Sequence, residues 1–519
     1  MHPRPSPFVW MLGFAALACS CGSSAGSAGA KGGAGGSALG DGGGAGTGGA
    51  DVGGGSGTGG ADVGGRGGSG GASPATPGWN LVAIDTPKRT YLDYVLVPAS
   101  GEWSPDAAGL PQLALWENVT APAAVRFRRF TPGDVLTPEE IMALLPAARP
   151  SASSLSITAA PYSAAPSPAD ATTAIQKALD DAAAMAKPGA PVDVLVPPGT
   201  FNYSAVLKVG ADVHLRRSPE DSGGVLHATN PAQEAVRLAG DRSAALFLHL
   251  TYSATTRLTT AQSSGIWVGY DHLGVPFVHD ALVVGNEVDT PASAHVFGYA
   301  EEGGLWAFNY VHDGYADSYH HTAGSRYCQV VGNRSQTRAD RGDDHYAFVS
   351  YQSDGDVVHH CAAIANFGRD GHARGLSVVG GGFILLDHND LDRTNWAGIY
   401  LAQENSWHTY GAFDLLIRNN VVRHSNLAGS HDGLLAFSDA PTESHDATSL
   451  GAVSNQVRRV TVEGNTFSDT SPGTSNGHGI EIRGSVDTGS VTHNVLTGNA
   501  APQIVVNGTN FTTSDNQEQ

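Results

Sequence analysis

Lysine and cysteine are both scarce in this chain of 519 residues. The five lysines all lie at or before residue 208, at Lys31, Lys88, Lys177, Lys187 and Lys208. Beyond residue 208, any cationic chemistry must therefore come from arginine, histidine or a metal. Of the four cysteines, only Cys328 and Cys361 lie beyond Cys21, which excludes a framework held together by disulfides.

Positive charge and long apolar runs are also in short supply. The formal net charge is −20 at pH 7, which argues against a nucleic-acid partner. The one long apolar run, Phe8–Ala18, is too short to span a bilayer. A hydrophobic content of 41% nevertheless excludes a wholly disordered protein and allows one large domain with further segments.

The first residues have the order of an export signal. Arg4 precedes the apolar run, as in secretory signal peptides. The segment Leu17-Ala18-Cys19 resembles the lipobox of bacterial lipoproteins, which implies a signal peptide over residues 1–21 and lipidation of Cys19. The protein would then be exported and held at the cell envelope, with no other membrane contact. An ordinary signal peptide that releases a soluble protein is the alternative.

Two segments of different character follow the signal. Many of the 68 glycines lie within residues 22–77, which lack bulky apolar side chains and are interpreted as a flexible linker. Residues 78–168 contain strand-like runs such as YLDYVLVP and one helical run, PEEIMALLP. We interpret them as a small β-rich accessory segment of unknown role.

From about residue 265 the chain repeats two kinds of short strand. One kind alternates apolar and other residues after a glycine, which is typical of a strand with one buried face. Its copies begin at Gly265, Gly375, Gly398, Gly433 and Gly479. The other kind ends at an asparagine, and its copies end at Asn286, Asn309, Asn333, Asn389, Asn420, Asn465 and Asn494.

Most of these asparagines recur at intervals of roughly 20–50 residues, which is typical of solenoids. A unit of short strands without a helix cannot close its own core, but stacked units can, and an asparagine at one fixed place can bond to its copies in neighbouring coils. The pattern resembles the pectin-lyase-like superfamily. That resemblance implies an all-β fold, a right-handed parallel β-helix over residues 169–519.

The start of this domain predicts a cap. Residues 170–185 have apolar side chains at helical spacing after an Asp/Thr start, and VDVLVPPGTF follows at 192–201. This order resembles the N-terminal cap and first coil of polygalacturonase-type proteins. A capping helix would cover the core and strand edges that an open solenoid end exposes.

An acidic column is predicted when the glycine-led strands are aligned. The residue before the strand is Asp317, Asp344 and Arg374 in successive repeats, and Asp343 precedes Asp344. Because parallel strands stack ~4.8 Å apart, these side chains should be neighbours on one outer face. Asp432 occupies the same column in a later repeat.

The column resembles the polygalacturonase-like glycoside hydrolases. Asp317 matches the aspartate of their N-T-D motif, and Asp343 with Asp344 matches their G-D-D motif. Gly371-His372-Ala373 matches their G-H-G motif only in part, because Arg374 stands in the register of the histidine. Their R-I-K segment is absent here.

Hydrolysis of a glycosidic bond needs one carboxyl group as acid and another to activate water. Asp344 is the expected acid, with Asp317 and Asp343 as bases. The alternative is structural, because aspartate is also an ordinary turn residue and a charged outer face is often simply solvated. The predicted substrate-binding residues around the column are His320, His345, His372, Arg374, Tyr400 and Glu404.

Three functions remain open at the level of sequence. The first is hydrolysis of a polysaccharide without a cofactor by a monomer. The second is elimination by a polysaccharide lyase on uronate polymers, with Arg374 as base and Ca²⁺ bound by the aspartates. The third is a surface solenoid that binds glycans without catalysis. The sequence assigns no metal site.

Overall fold

The protein is a right-handed parallel β-helix, which confirms the predicted fold class. The computed structural model describes residues 132–218, 223–258, 263–270, 277–471 and 477–519. They belong to one compact unit, Ser73–Gln519. Three long parallel sheets run along it, with 13 strands in sheet A, 12 in sheet B and 11 in sheet C. Each complete coil passes through A, B and C in that order.

The strands are short and follow one another at regular intervals. Sheet A contains Ser153–Ser156, Val192–Val196, Val213–Arg217, Ala244–Leu246, Leu282–Val284, Leu305–Ala307, Gln329–Val331, Ala362–Ile364, Gly381–Asp387, Ala412–Arg418, Arg458–Glu463, Asp487–Thr492 and Thr509–Ser514. Sheet B contains Gly199–Tyr203, Gly224–Ala228, His249–Tyr252, Glu287–Asp289, Tyr310–His312, Arg334–Gln336, Phe367–Gly371, Asp390–Thr394, Val421–Arg423, Thr466–Ser468, Val495–Thr497 and Gln517–Glu518. Sheet C contains Leu207–Val209, Val236–Leu238, Ile266–Gly269, Val296–Tyr299, Tyr319–Thr322, Tyr346–Val349, Leu376–Val379, Ile399–Gln403, Leu434–Ser438, Ile480–Ile482 and Ile504–Val506.

Minor elements join these sheets. Val278–His279 pairs in parallel with Glu301–Glu302, and Ser444–Ala447 forms an antiparallel hairpin with Gly451–Ser454. Single 3₁₀ turns lie at Pro146–Ala148, Gln352–Asp354 and Asn405–Trp407.

The predicted capping helix is helix α2, Thr172–Met185. The carboxylate of Asp170 accepts the N–H of Thr172 at 2.8 Å at its start. Ile175 and Leu179 are buried in the same apolar cluster as the first coils, so the helix closes that end of the core.

Helix α1, Pro138–Leu144, confirms the helical reading of PEEIMALLP. Thr137 and Glu140 form a capping box at its start. Ile141 and Leu144 pack on the outward face of sheet A with residues such as Leu246 and Val284.

The described part of the accessory segment differs from its predicted boundary. Strand Ser153–Ser156 pairs in parallel with Val192–Val196 and is the first strand of sheet A. The β-helix therefore begins before residue 169, because this edge strand covers the backbone groups of the first full coil. The signal peptide, Cys19, the linker 22–77 and residues 78–131 lie outside the described residues. Among those that are described, no helix combines the length and apolarity that crossing a membrane requires.

A buried asparagine ladder ties the coils together. Each member accepts the backbone N–H of its counterpart in the preceding coil at 2.9–3.0 Å, and its amide donates to the next Oδ1 at 2.9–3.1 Å. The ladder comprises the seven predicted residues together with Asn366 and Asn516. Each amide also donates to a carbonyl of the sheet A strand in the preceding coil, as Asn366 does to Val330 at 2.8 Å.

We expect Asn366→Ala to lower the free energy of unfolding by about 3 kcal/mol or more. The substitution removes four hydrogen bonds and leaves the buried N–H of Asn333 without its acceptor, at about 1–3 kcal/mol for a buried group that loses its partner. Urea unfolding monitored by circular dichroism measures the change. The control is Asn507→Ala at an exposed position, where a change below about 0.5 kcal/mol is expected. Equal losses in both variants would show that the ladder does not stabilise the coils.

Candidate functional site

The strand register brings the predicted acidic column together. Tyr319 pairs with Tyr346, and Tyr346 pairs with Leu376, on adjacent strands of sheet C. Asp317, Asp344 and Arg374 each stand two residues before these positions, so they are stacked in successive coils as the alignment predicts. Asp343 joins them, and one oxygen from each of the three carboxylates lies within 4.8 Å of the others.

The column aspartates also hold the backbone. Oδ1 of Asp317 accepts the N–H of Asp344 at 2.9 Å, and Oδ1 of Asp344 accepts the N–H of Arg374 at 3.0 Å. Asp432 repeats the bond to the N–H of His478 at 2.9 Å, away from the cluster. Each of these aspartates therefore has a structural role, and only its second oxygen can face other side chains.

Asp317 is held in the ionised state. Its Oδ2 lies 2.7 Å from Nδ1 of His320, whose ring stacks on Phe297 at 4.9 Å between centroids. Burial opposes ionisation, but His320, the N–H of Asp344 and Arg257 outweigh it, so the pKa of Asp317 lies below its ordinary value.

Asp343 has the opposite property. Burial is the largest cause, repulsion from Asp317 and Asp344 adds to it, and together they raise the pKa of Asp343 to about 7. Nη2 of Arg257 lies 3.0 Å from its Oδ2 and opposes the shift. Asp343 is also the most accessible of the three, with 29% of its side chain exposed.

Asp344, the acid expected from sequence, has both carboxylate oxygens hydrogen-bonded within the protein. The residue is 4% exposed. Its Oδ2 accepts the hydroxyl of Ser377 at 2.6 Å and lies 3.4 Å from Nη1 of Arg374. The properties of a general acid therefore belong to Asp343, because Asp344 has no free oxygen that faces solvent.

Arg374, Tyr400 and Glu404 form one network beside the acids. Nη2 of Arg374 lies 3.0 Å from Oε1 of Glu404, which also accepts the hydroxyl of Tyr400 at 2.7 Å. The guanidinium lies 3.9 Å from the centre of the Tyr400 ring. These three predicted substrate-binding side chains contact one another, and Tyr400 is buried. Through Arg374, the network holds the carboxylate of Asp344 in position.

Two predicted substrate-binding histidines are placed differently. His345 is fully buried, its Nδ1 lies 2.6 Å from the hydroxyl of Ser335, and burial lowers its pKa to about 3. It cannot contact a polysaccharide, so that prediction is wrong. The cause is the corner between sheets B and C, where His345 and Tyr346 both point inward instead of alternating. His372 is half-buried and binds the carbonyl of Ala339 at 2.7 Å, where it holds a loop.

Two site residues were not found from the sequence. Arg257 reaches Asp343 from 86 positions earlier in the chain. Ser377 binds Asp344 from the next coil, and as a serine in an ordinary strand it carries no signal. A lone arginine in the loop before Gly265 shows nothing of its partner until the coils are stacked.

The cluster also offers oxygen ligands for a cation. Asp317, Asp343 and Asp344 are close enough to share one divalent ion, and carboxylates are the ligands that Ca²⁺ prefers. The bond from Arg257 to Asp343 competes with such an ion for one carboxylate.

Comparison with known proteins identifies the fold and no closer relationship. No family model matches the chain, and no curated protein matches it. Among solved structures, the A-module of Azotobacter vinelandii mannuronan C-5 epimerase AlgE6 is 15% identical with a TM-score of 0.50, over 70% of this chain and 99% of that one. The catalytic unit of the GH87 α-1,3-glucanase from Streptomyces thermodiastaticus is 17% identical with a TM-score of 0.50, over 72% of this chain and 69% of that one. The superfamily resemblance is confirmed at the level of fold.

The raised pKa of Asp343 predicts a pH-dependent stability change in Asp343→Asn. The unfolded chain has an ordinary aspartate near 3.9, so the folded state favours the protonated form and loses stability as pH rises from about 4 to about 7. Each pKa unit of the shift corresponds to ~1.4 kcal/mol. We expect the variant to gain stability relative to wild type between about pH 5 and about pH 8.

Denaturant unfolding of wild type and variant at about pH 5 and about pH 8 measures the difference in their free energies of unfolding. Asp340→Asn is the matched control, since Asp340 lies nearby with 64% of its side chain exposed. A difference between Asp343→Asn and wild type that stays constant with pH would contradict the assignment of the raised pKa.

Proposed function

We propose that this protein is an exported polysaccharide hydrolase in which Asp343 is the general acid and Asp317 is the carboxylate that activates water. The proposal is supported by the proximity of a carboxyl whose pKa is raised to one whose pKa is lowered. Asp343 has a pKa of about 7, the pKa of Asp317 is lowered, and their oxygens lie within 4.8 Å. Neighbouring carboxyls whose pKa values are pushed apart can supply an acid and a base for glycosidic hydrolysis.

The surrounding bonds suit each role. Asp343 would donate its proton to the glycosidic oxygen as the bond to the leaving sugar breaks. Arg257, 3.0 Å away, would stabilise the carboxylate that remains. Asp317 would take a proton from the attacking water, while His320 and the N–H of Asp344 hold its position. Asp344 is a positioning residue in this scheme.

The solved structures with a TM-score of 0.50 agree with a polysaccharide substrate. They are named for mannuronan and for α-1,3-glucan. The predicted signal at residues 1–21 and the lipidation of Cys19 would place the enzyme at the cell envelope, where it would be exposed to extracellular polysaccharides.

Elimination is the second candidate, favoured by the capacity of the three aspartates to hold a cation. Arg374 is a poor base for it. Burial disfavours the charged guanidinium, but Asp344, Tyr400 and Glu404 outweigh burial and raise its pKa above the ordinary value. An arginine that never loses its proton cannot accept one from a sugar.

We expect a polysaccharide panel to give reducing ends without ultraviolet-absorbing unsaturated products. Asp343→Asn should lower the rate by about 10²–10⁴-fold without lowering the melting temperature, because the amide cannot donate the required proton. Asp340→Asn is the control and should match wild type. Unsaturated products that disappear with a chelator would favour elimination, and full activity in Asp343→Asn would remove the acidic cluster from the proposal.

The pH profile gives a second expectation. Since Asp343 must be protonated to act as the acid, kcat/KM should fall as pH rises through about 7. Since Asp317 must be ionised, the acidic limb should lie below the ordinary aspartate range. Initial rates on the panel substrate that is cleaved measure both limbs. A rate that keeps rising above about pH 8 would exclude Asp343 as the acid.

A further inference from the structure

A second cluster lies inside the coil, behind the strand that carries His320. Glu301, His321 and Cys328 come from three separate segments and are each 0–1% exposed. One ligand atom of each, a carboxylate oxygen, a ring nitrogen and a sulfur, lies within 4.8 Å of the other two. This cluster shares no residue with the acidic site.

The carboxylate of Glu301 is only half satisfied. Its Oε1 accepts the indole N–H of Trp306 at 3.1 Å, while Oε2 is buried with no hydrogen-bond partner. Two glycines make the room that it occupies. A Cβ at Gly304 would lie 1.5 Å from Oε1, and a Cβ at Gly298 would lie 2.9 Å from Oε2. The backbone therefore leaves space for a polar group in an otherwise apolar core.

His321 faces that carboxylate without bonding to it. Both of its ring nitrogens are buried without a hydrogen-bond partner. Its ring stacks on Trp306 at 3.7 Å and on Phe348 at 5.6 Å between centroids, which fixes its plane. The distance from Nδ1 to Oε2 of Glu301 is 3.5 Å, longer than the 2.7–3.2 Å of a good hydrogen bond.

This spacing fits a shared metal ion. Zinc bonds of ~2.0–2.2 Å to nitrogen and oxygen in a tetrahedron put two such ligands roughly 3.3–3.6 Å apart. The third ligand atom is Sγ of Cys328, which makes long contacts to the carbonyls of Arg326 and Glu301, at 3.4 and 3.9 Å, and a side-chain hydrogen bond with Cys361. Imidazole, carboxylate and thiolate together form a set that suits Zn²⁺.

We propose that Glu301, His321 and Cys328 are three protein ligands of a Zn²⁺ ion inside the β-helix. One carboxylate and one thiolate neutralise the dication, so the buried site carries no net charge, as an apolar interior requires. Binding releases two protons to solvent, the thiol proton of Cys328 and the carboxyl proton that Glu301 carries as an uncharged buried group. The ion would satisfy Oε2 of Glu301 and Nδ1 of His321, and it would anchor the strand Tyr319–Thr322 from inside.

Metal content and cobalt spectroscopy of the full chain test the proposal. Purified from zinc-supplemented cells, wild type should hold about one zinc per chain after gel filtration, as measured by inductively coupled plasma mass spectrometry. The cobalt-exchanged protein should show thiolate-to-cobalt charge-transfer absorption. Cys328→Ser should lose this absorption and most of the zinc, and the melting temperature of wild type should fall when zinc is removed.

Cys361→Ser is the matched control. Cys361 is equally buried, and its Sγ accepts the N–H of Cys328 at 3.4 Å, but it is not one of the three clustered ligands. This variant should keep both zinc and the cobalt absorption. A Cys328→Ser variant with unchanged absorption would assign the thiolate to another cysteine and overturn the proposal.

If Cys328→Ser does not fold, zinc content and cobalt absorption of the wild-type protein alone test the proposed site. Wild-type protein without retained zinc and without thiolate-to-cobalt absorption after refolding in Co²⁺ would show that Glu301 and His321 are an uncharged buried pair. Glu301→Gln, which keeps the shape of the side chain, should hold zinc more weakly than wild type. Undiminished retention in that variant would also contradict the site.

Discussion

Backbone hydrogen bonding between coils is the constraint on which the rest of this structure depends. Each coil lies ~4.8 Å above the last, and at every corner the chain must leave one sheet without leaving buried N–H groups unpaired. The asparagine ladder from Asn286 to Asn516 meets that need at one corner, with each amide bonded both to its copy and to a backbone carbonyl. Regular stacking of the three sheets follows from this repeated bond.

The acidic site uses the same device at another corner. Oδ1 of Asp317 and of Asp344 accepts the N–H of the next coil, whereas each ladder asparagine accepts the N–H of the preceding one. The second oxygen of each aspartate faces other side chains. The turn interpretation and the catalytic interpretation of these aspartates are therefore compatible. Asp343 has no place in the column, and its side chain is free to be the accessible, protonated member of the cluster.

Particular residues show where prediction from sequence succeeded and where it stopped. The apolar alternation and the recurring asparagines predicted the coils, because both are local consequences of stacking. Asn366 and Asn516 were missed because CAAIAN is mostly alanine and TTSDN mostly polar, whereas most other copies carry large aliphatic side chains before the asparagine. His345 was predicted to bind substrate because it flanks the acidic pair, but at the corner between sheets its side chain is buried.

The sequence by itself determined the scaffold and the register of the acidic column, since a repeat that recurs in each coil fixes which residues lie above one another. Only the tertiary structure decided which carboxyl is protonated. Ionisation depends on burial and on charges such as Arg257, which reaches Asp343 from 86 positions away. The inner cluster of Glu301, His321 and Cys328 is likewise invisible in sequence, because its ligands come from different faces and no spacing motif joins them.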